Sequence, residues 1–373
     1  MSIPSTMQAF VLAGHGDFDQ LQYHTDWPVP ACGDQQVLIK VHACGLNNTD
    51  INTRTAWYSK GVTSNTTGGS LEDASGDDAT WGGKPLEFPR IQGADVSGTV
   101  VATGAGVKPG LVGKRVMIDT WLRDWSDPTN YASTGYYGSE CDGGYADYTV
   151  IDHHHVHVVE SSLSDTEIAC FATSYITAEN MLSKANVGKG DHVLITGASG
   201  GVGSALIQLA KRRGALTIAL CGESKHQMLQ ALSPDVTLVR EPESLKAALK
   251  QATGRDEVDV VADVVGGSYF PTVIDAIARG GRYTCAGAIA GPMVEFDLRT
   301  FYLKDLIFTG ATVVPVGMFS ELVGYIERNE IKPVVAKAFE LTELHDAQRM
   351  FIAKQHIGNI VVTTGSTHTG CAG

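Results

Sequence analysis

The stretch Thr196-Gly197-Ala198-Ser199-Gly200-Gly201-Val202-Gly203 decides the fold. Residues 191–196 before it form a short apolar run. Residues 202–213 after it place Leu206, Leu209 and Ala210 on one helical face. A buried strand, a tight glycine turn and a helix, in that order, suit a dinucleotide. Small residues let backbone N–H groups reach a pyrophosphate, and the helix N-terminus adds partial positive charge. The spacing is GxxGxxG through Gly197, Gly200 and Gly203, because Ala198 takes the first position of the strict GxGxxG. Ser199, Gly200, Gly201 and Val202 are the expected contacts.

Outward from the turn, strands and helices alternate. Strands are expected at 215–221, 236–239, 259–262, 282–286 and 306–311, and helices at 225–232, 244–251 and 270–278. That alternation predicts a doubly wound parallel sheet. Residues 7–158 read differently, as short strands (37–43, 97–102, 145–150) punctuated by Pro, Gly and Asn, which predicts an irregular β-rich domain. Residues 59–83, rich in Ser, Thr, Gly and Asp, read as one long loop, and 121–142 as a second. The tail, 318–363, returns to mixed helix and strand.

Bulk properties narrow the function. At 373 residues the chain is long enough for two domains. A net charge of −13 argues against a nucleic-acid partner, which needs a basic face. The seven cysteines are scattered with no CxxC pair, which fits reduced thiols. The start lacks a basic and apolar leader, and no apolar stretch has membrane length. A cytoplasmic protein with a small-molecule substrate is the expectation.

The second strand of the alternating half ends at Gly222, where an NAD-type site places an acid on the ribose hydroxyls. Gly222 leaves room for a 2′-phosphate, and Ser224 and Lys225 stand ready to bind it. Glu223 is one residue late; an NADH reading would use it instead. NADPH is the expected cofactor.

With these pieces assembled, the chain resembles the medium-chain dehydrogenase/reductase superfamily over nearly its whole length. Gly45-Leu46-Asn47-Asn48-Thr49-Asp50, Gly93-Ala94-Asp95-Val96-Ser97-Gly98, Gly143-Gly144-Tyr145-Ala146-Asp147-Tyr148, Thr177-Ala178-Glu179-Asn180-Met181-Leu182 and Gly200-Gly201-Val202-Gly203 match its signatures. Gly358-Asn359-Ile360-Val361-Val362 resembles its ending, with Asn359 where a lysine is usual. The resemblance implies an α/β protein. A GroES-like β-rich catalytic domain (1–158 and 312–373) would surround a Rossmann domain (159–311). It also implies cofactor contacts from Thr177, from Val264 beside Asp263 at the nicotinamide ribose, and from Gly287, Ala288 and Ile289 near the nicotinamide amide.

Zinc alcohol dehydrogenases of that superfamily supply a Cys, a His and a second Cys or Asp. The matching positions here are Asn47, Ala94 (followed by Asp95) and Thr173, which are poor zinc ligands. The four-cysteine structural lobe is missing from 100–140. No metal is therefore expected, and the resemblance narrows to the zinc-free quinone oxidoreductase-like branch, whose members reduce activated alkenes or quinones with NADPH. Two rivals offer metals. His153, His155 and His157 would share one face of a strand, and His42 and Cys44 are same-face neighbours. The first reads more simply as a strand-edge cluster, and the second precedes the signature position.

Without a metal, the segment after the N-terminal signature supplies the expected catalytic groups. Asn47 would donate to the substrate oxygen, Tyr58 would donate or deliver a proton, and Arg54 would stabilise an enolate, with Asp50 beside them. Arg54 pairing with Asp50, Asn47 and Asp50 holding loop backbone, and Tyr58 serving only as packing are the alternatives. Trp57, Trp81 and Trp121 are candidates for the substrate mouth. The apolar run Leu306-Ile307-Phe308-Thr309-Gly310-Ala311 reads as an edge strand that a homodimer would cover. Two other functions remain open: zinc-free reduction of ketones or aldehydes, and non-catalytic NADPH binding in a regulatory protein.

Overall fold

The computed structural model describes residues 3–66, 73–240 and 243–365. Its strands are β1 Thr6–Leu12, β2 Leu21–Pro28, β3 Gln36–Gly45, β4 Asp95–Thr103, β5 Arg115–Ile118, β6 Trp121–Leu122, β7 Gly135–Tyr136, β8 Tyr148–Asp152 and β9 Val156–Val158. They continue as β10 His192–Ile195, β11 Leu216–Cys221, β12 Val236–Val239, β13 Val258–Asp263, β14 Ile277–Cys285, β15 Ile307–Gly310, β16 Val335–Glu340 and β17 Asn359–Thr363. The helices are α1 Asn48–Arg54, α2 Asp165–Ile168, α3 Ser174–Lys184, α4 Gly201–Arg212, α5 His226–Leu229, α6 Leu245–Thr253, α7 Phe270–Asp275, α8 Leu298–Leu303, α9 Met318–Glu327 and α10 Leu344–Ala353.

The alternating half folds as a six-stranded sheet in the order β12-β11-β10-β13-β14-β15, with every neighbouring pair parallel. Strand β10 is apolar because it is covered on both faces: Val193, Leu194 and Ile195 are all fully buried. Each such side chain contributes roughly 1.5–3 kcal/mol on burial. Helix α4 buries Leu206, Ile207, Leu209 and Ala210 against the sheet. The chain leaves β10 toward β11 on one side and reaches β13 on the other, so a crevice opens at the strands' carboxyl ends.

The other sheet runs β16-β17-β3-β4-β5-β9, with β8 also paired to β3. Strand β17 lies antiparallel to β3, with Val361 opposite Gly45 and Thr363 opposite Ala43. The C-terminal part of the chain thus completes the β-rich N-terminal sheet, as a GroES-like domain around an inserted Rossmann domain requires.

Several local expectations change. The helix expected over 225–232 is one α-turn between two 3₁₀ turns, Glu223–Lys225 and Gln230–Leu232, because Leu229 is its single buried anchor. Helix α7 ends at Asp275, since Ile277 is drawn into register opposite Val258. The expected loop over 121–142 contains the small β6–β7 pair, Trp121 opposite Tyr136. The loop over 59–83 is braced where it is described. Ser59 Oγ accepts the Ser75 N–H at 2.9 Å, and Thr66 N–H donates to the Ile289 carbonyl at 3.1 Å, across to the parallel-sheet half. Residues 67–72 lie outside the described residues.

Candidate active site

A cleft lies between the two sheets. Gly197, Gly200, Gly201, Val202, Gly203, Val264, Gly287, Ala288 and Ile289 line one side, and Asn47, Asn48, Thr49, Asn52, Trp57 and Tyr58 the other. Thr173, Ser174, Thr177, Tyr136, Asn359, Trp81 and Trp121 complete it. A second cavity, lined by Leu220, Arg240, Val265, Gly266, Ser268 and Tyr269, adjoins the first at Gly197, which lines both. An elongated two-part ligand fits that outline.

The glycine turn is tight enough to exclude side chains. A Cβ on Gly203 would stand 2.2 Å from the Gly197 carbonyl oxygen, and one on Gly201 would stand 2.4 Å from Ser174 Oγ. The first-turn residues of α4, whose N–H groups have no partners within the helix, line the cleft, which suits a pyrophosphate. Lys225 brings charge to the turn: its Nζ lies 3.2 Å from Ser199 Oγ. Gly222 follows β11 as expected, open around its Cα, and Ser224 is exposed beside it. These residues fit a nicotinamide dinucleotide.

Some contributors were not legible in the sequence. Lys354 ends α10 in a left-handed conformation and donates to Asn48 Oδ1 at 2.7 Å, on the cleft wall. Burial, with Lys225 adding repulsion, lowers its pKa to about 7. Nothing local to Lys354 signals this; only the fold brings it opposite the turn. Arg240, at the rim of the second cavity, was missed for the same reason. Asn359, standing where a lysine is usual in the family, donates to Ser174 Oγ at 3.1 Å instead.

The four expected catalytic residues separate. Asn47 and Tyr58 line the cleft; Asp50 and Arg54 do not. Asp50 is buried and accepts from the Asn47 N–H and the Tyr145 hydroxyl, both at 2.8 Å, so it braces the start of α1. Burial raises its pKa to about 6, against those hydrogen bonds. Arg54 does not pair with Asp50. It donates to the Gly16 carbonyl at 2.8 Å, approaches Asp17 at 3.5 Å and covers the Phe18 ring. The Tyr58 phenol, its pKa raised by burial, stands beside the Thr49 and Asn52 side chains. Asp263 is spent internally, on the Tyr283 hydroxyl and the Val265 N–H, each at 2.8 Å, and on Thr196. The three tryptophans do reach the cleft, and Trp81 and Trp121 meet edge to face with ring centroids 4.9 Å apart.

Two of the positions matching zinc ligands, Asn47 and Thr173, gather around Asp95, the neighbour of Ala94 at the third. The Thr173 hydroxyl donates to Asp95 Oδ1, which also accepts the Thr173 N–H at 2.9 Å. The Asn47 side chain turns toward Asp95 without a well-formed hydrogen bond of its own. One carboxylate, its Oδ1 already accepting twice from Thr173, with an amide and a hydroxyl around it, does not fit zinc, which wants several thiolate, imidazole or carboxylate ligands.

The histidine rivals resolve as structure. His153–His155 is a 3₁₀ turn, so His153, His155 and His157 do not share a strand face. His155 is buried beneath Trp125, and His157 packs on Phe319. Among the described residues, Asp152, His153 and His154 are the one cluster with ligand atoms close enough for a metal, and Asp152 already bonds His154 at 2.7 Å. Neither His42, bonded to Thr99 at 2.8 Å, nor Cys44 lines the cleft.

Comparison with known proteins agrees with this architecture. The alcohol dehydrogenase GroES-like domain family matches residues 33–161, and the zinc-binding dehydrogenase family matches 201–337. A crystal structure from Sinorhizobium meliloti 1021, assigned as an alcohol dehydrogenase, is 42% identical, covers 97% of each chain and superposes with a TM-score of 0.87. This chain belongs to the medium-chain dehydrogenase/reductase superfamily. As a member it is an oxidoreductase. The superfamily's quinone oxidoreductase from Pongo abelii is 26% identical over 355 residues, covering 93% of this chain and 94% of the relative. The 2-methylene-furan-3-one reductase of Solanum lycopersicum is 27% identical over 367 residues, covering 97% and 80%. Among the described residues no helix is long and apolar enough to cross a membrane.

Proposed function

We propose that this chain is an NADPH-preferring reductase of activated alkenes or quinones that works without zinc. Residues 1–158 with 312–373 would form its catalytic unit and 159–311 its cofactor unit. The observation that carries the reading is Asn47, Ala94 and Thr173 standing where metal ligands would be, with the neighbouring Asp95 engaged by Thr173. The quinone oxidoreductase and furanone reductase relatives favour the same chemistry.

The turn at Ser199, Gly200, Gly201 and Val202 would hold the pyrophosphate. Gly222, Ser224 and Lys225 would hold the 2′-phosphate, and Thr177, Val264, Gly287, Ala288 and Ile289 the nicotinamide end. Bound there, the reduced nicotinamide supplies a hydride equivalent. Asn47 Nδ2, buried and without a partner, donates to the substrate carbonyl oxygen as charge builds on it. Tyr58, just after α1, adds a second donor on the same cleft wall. Trp57, Trp81 and Trp121 exclude water, which strengthens both contacts. Asp50 and Arg54 act by holding α1 in place.

Carbonyl reduction is the second reading, favoured by the assignment given to the Sinorhizobium structure. Product analysis with one enone separates the two: a saturated ketone is expected, and an allylic alcohol would overturn the alkene reading. Zinc in the purified protein at one atom per chain would overturn the metal-free mechanism. Unchanged kcat/KM in both Asn47→Ala and Tyr58→Phe would remove those two residues from it.

A further inference from the structure

Alkene reduction needs a proton as well as a hydride, and the cleft must find one while water is excluded. Tyr58 stands beside Thr49 and Asn52, neither of which is an acid. The opposite wall differs. Tyr136 Oη lies 2.7 Å from Thr173 Oγ1, and the Thr173 hydroxyl reaches Asp95. Tyr136 and Thr173 line the cleft, while Asp95 sits behind them, fully buried at the start of β4. Two hydroxyls thus link a cleft-lining phenol to a sequestered carboxyl.

We propose that Tyr136, Thr173 and Asp95 form a proton relay, with Asp95 the reservoir and Tyr136 the group that protonates the reduced substrate. The inference rests on the alkene reductase reading. Hydride addition forms the β-carbon C–H bond and oxidises the nicotinamide, and the alkene's π electrons become an enolate. The Tyr136 O–H bond then breaks and its proton forms the α-carbon C–H bond. In the loaded state the protonated Asp95 donates to Thr173 and Thr173 to Tyr136. The Thr173 proton passes to the Tyr136 oxygen, and the Asp95 proton passes to Thr173, leaving Asp95 a carboxylate that accepts from the Thr173 hydroxyl. After product leaves, a proton from cleft water returns along the same chain.

The electrostatics suit these roles. Burial raises the Tyr136 phenol well above its ordinary range, so alone it is a weak acid; simultaneous return of a proton from behind removes that handicap. Burial pushes Asp95 up to about 7, aided by the charge of Asp50 and opposed by the hydrogen bonds from Thr173 and by the nearby Asn47 amide. A donor titrating near working pH is the most effective kind. The other ionisable groups facing Asp95 are Cys44 from β3, Asp50 from α1, Tyr145 and Cys170. Burial raises both thiols and the Tyr145 phenol well above their usual values, so they stay neutral, and Asp50 alone titrates in a nearby range, about 6.

The test compares wild type with Tyr136→Phe, Thr173→Val, Thr173→Ser and Asp95→Asn, using one enone and NADPH. It measures kcat against pH, the solvent isotope effect and NADPH affinity by fluorescence. Tyr136→Phe and Thr173→Val should lower kcat on the order of 100-fold with NADPH affinity unchanged. Thr173→Ser should recover most of the rate, and Asp95→Asn should remove the pH step near 7. Wild-type kcat and pH profile in Tyr136→Phe would overturn the relay while leaving the reductase reading intact. If wild type reduces neither alkenes nor quinones, that reading fails and the relay with it. Should Asp95→Asn not fold, the contrast between Thr173→Val and Thr173→Ser decides.

Discussion

The backbone N–H of Gly358 donates to the Ser199 carbonyl at 2.9 Å, and beside it Gly358 pairs with Gly200 in an isolated parallel bridge. The loop before the last strand of the β-rich sheet is therefore stitched to the glycine turn of the parallel sheet. The position demands glycine: its φ is +78°, and a Cβ would stand 2.2 Å from the Val334 carbonyl oxygen. Gly358→Ala should cost about 1–3 kcal/mol of stability, as strained backbone does, and weaken NADPH binding. Thermal melts and a fluorescence titration read both, and wild-type values in each would show that the stitch is dispensable.

Lys225 is the residue on which NADPH preference should hang. It reaches Ser199 at the turn, and Gly222 beside it leaves space. A hydrogen bond to a charged group is worth about 1.5–3 kcal/mol. Lys225→Ala should therefore raise the Kd for NADPH by roughly 10- to 100-fold and leave that for NADH within about twofold. Equal losses for both cofactors would move Lys225 away from the 2′-phosphate.

Lys354 should make cofactor binding pH-dependent. Its folded pKa, lowered to about 7 by burial and Lys225, lies below the usual lysine value, so the unfolded chain binds more protons. Stability of the unliganded protein should then rise with pH above about 7. An anionic phosphate nearby favours the charged form, so binding should take up protons, and affinity should fall as pH rises through that value. Calorimetry in buffers of different ionisation enthalpy reads the uptake. The same uptake in Lys354→Met would place the titrating group elsewhere.

The edge of the parallel sheet should join two copies of the chain. Ile307, on edge strand β15, is 55% exposed, and Leu298, Tyr302 and Leu303 are exposed on α8 just before it. Exposed apolar edges of this kind need a cover. Wild type should sediment as a homodimer and Ile307→Lys as a monomer; a monomeric wild type at micromolar concentration would end this reading.

Features that are local or periodic are legible along the chain. The run Val193-Leu194-Ile195 had to be a strand buried on both faces, the glycines after it had to form a tight turn, and Leu206 with Leu209 had to anchor a helix. Gly222 and Lys225 follow by counting along the second strand. Such features depend on neighbours a few residues away, so a linear reading reaches them.

Features that depend on distant pairs are not legible in that way. Asp50 and Arg54 belong to the right segment but point to the wrong side for catalysis, because a seven-residue helix can present only one face to the cleft. Arg54 meets Asp17, not Asp50, because the turn at Gly16–Phe18 packs against the end of α1. Lys354 was anonymous until the fold laid it beside Asn48, 306 residues earlier. Tyr136, Thr173 and Asp95 carry no shared motif; three separate chain segments bring them into contact. Proximity of that kind, and the burial that lifts Asp95 toward neutrality, exist only once the core has closed around them.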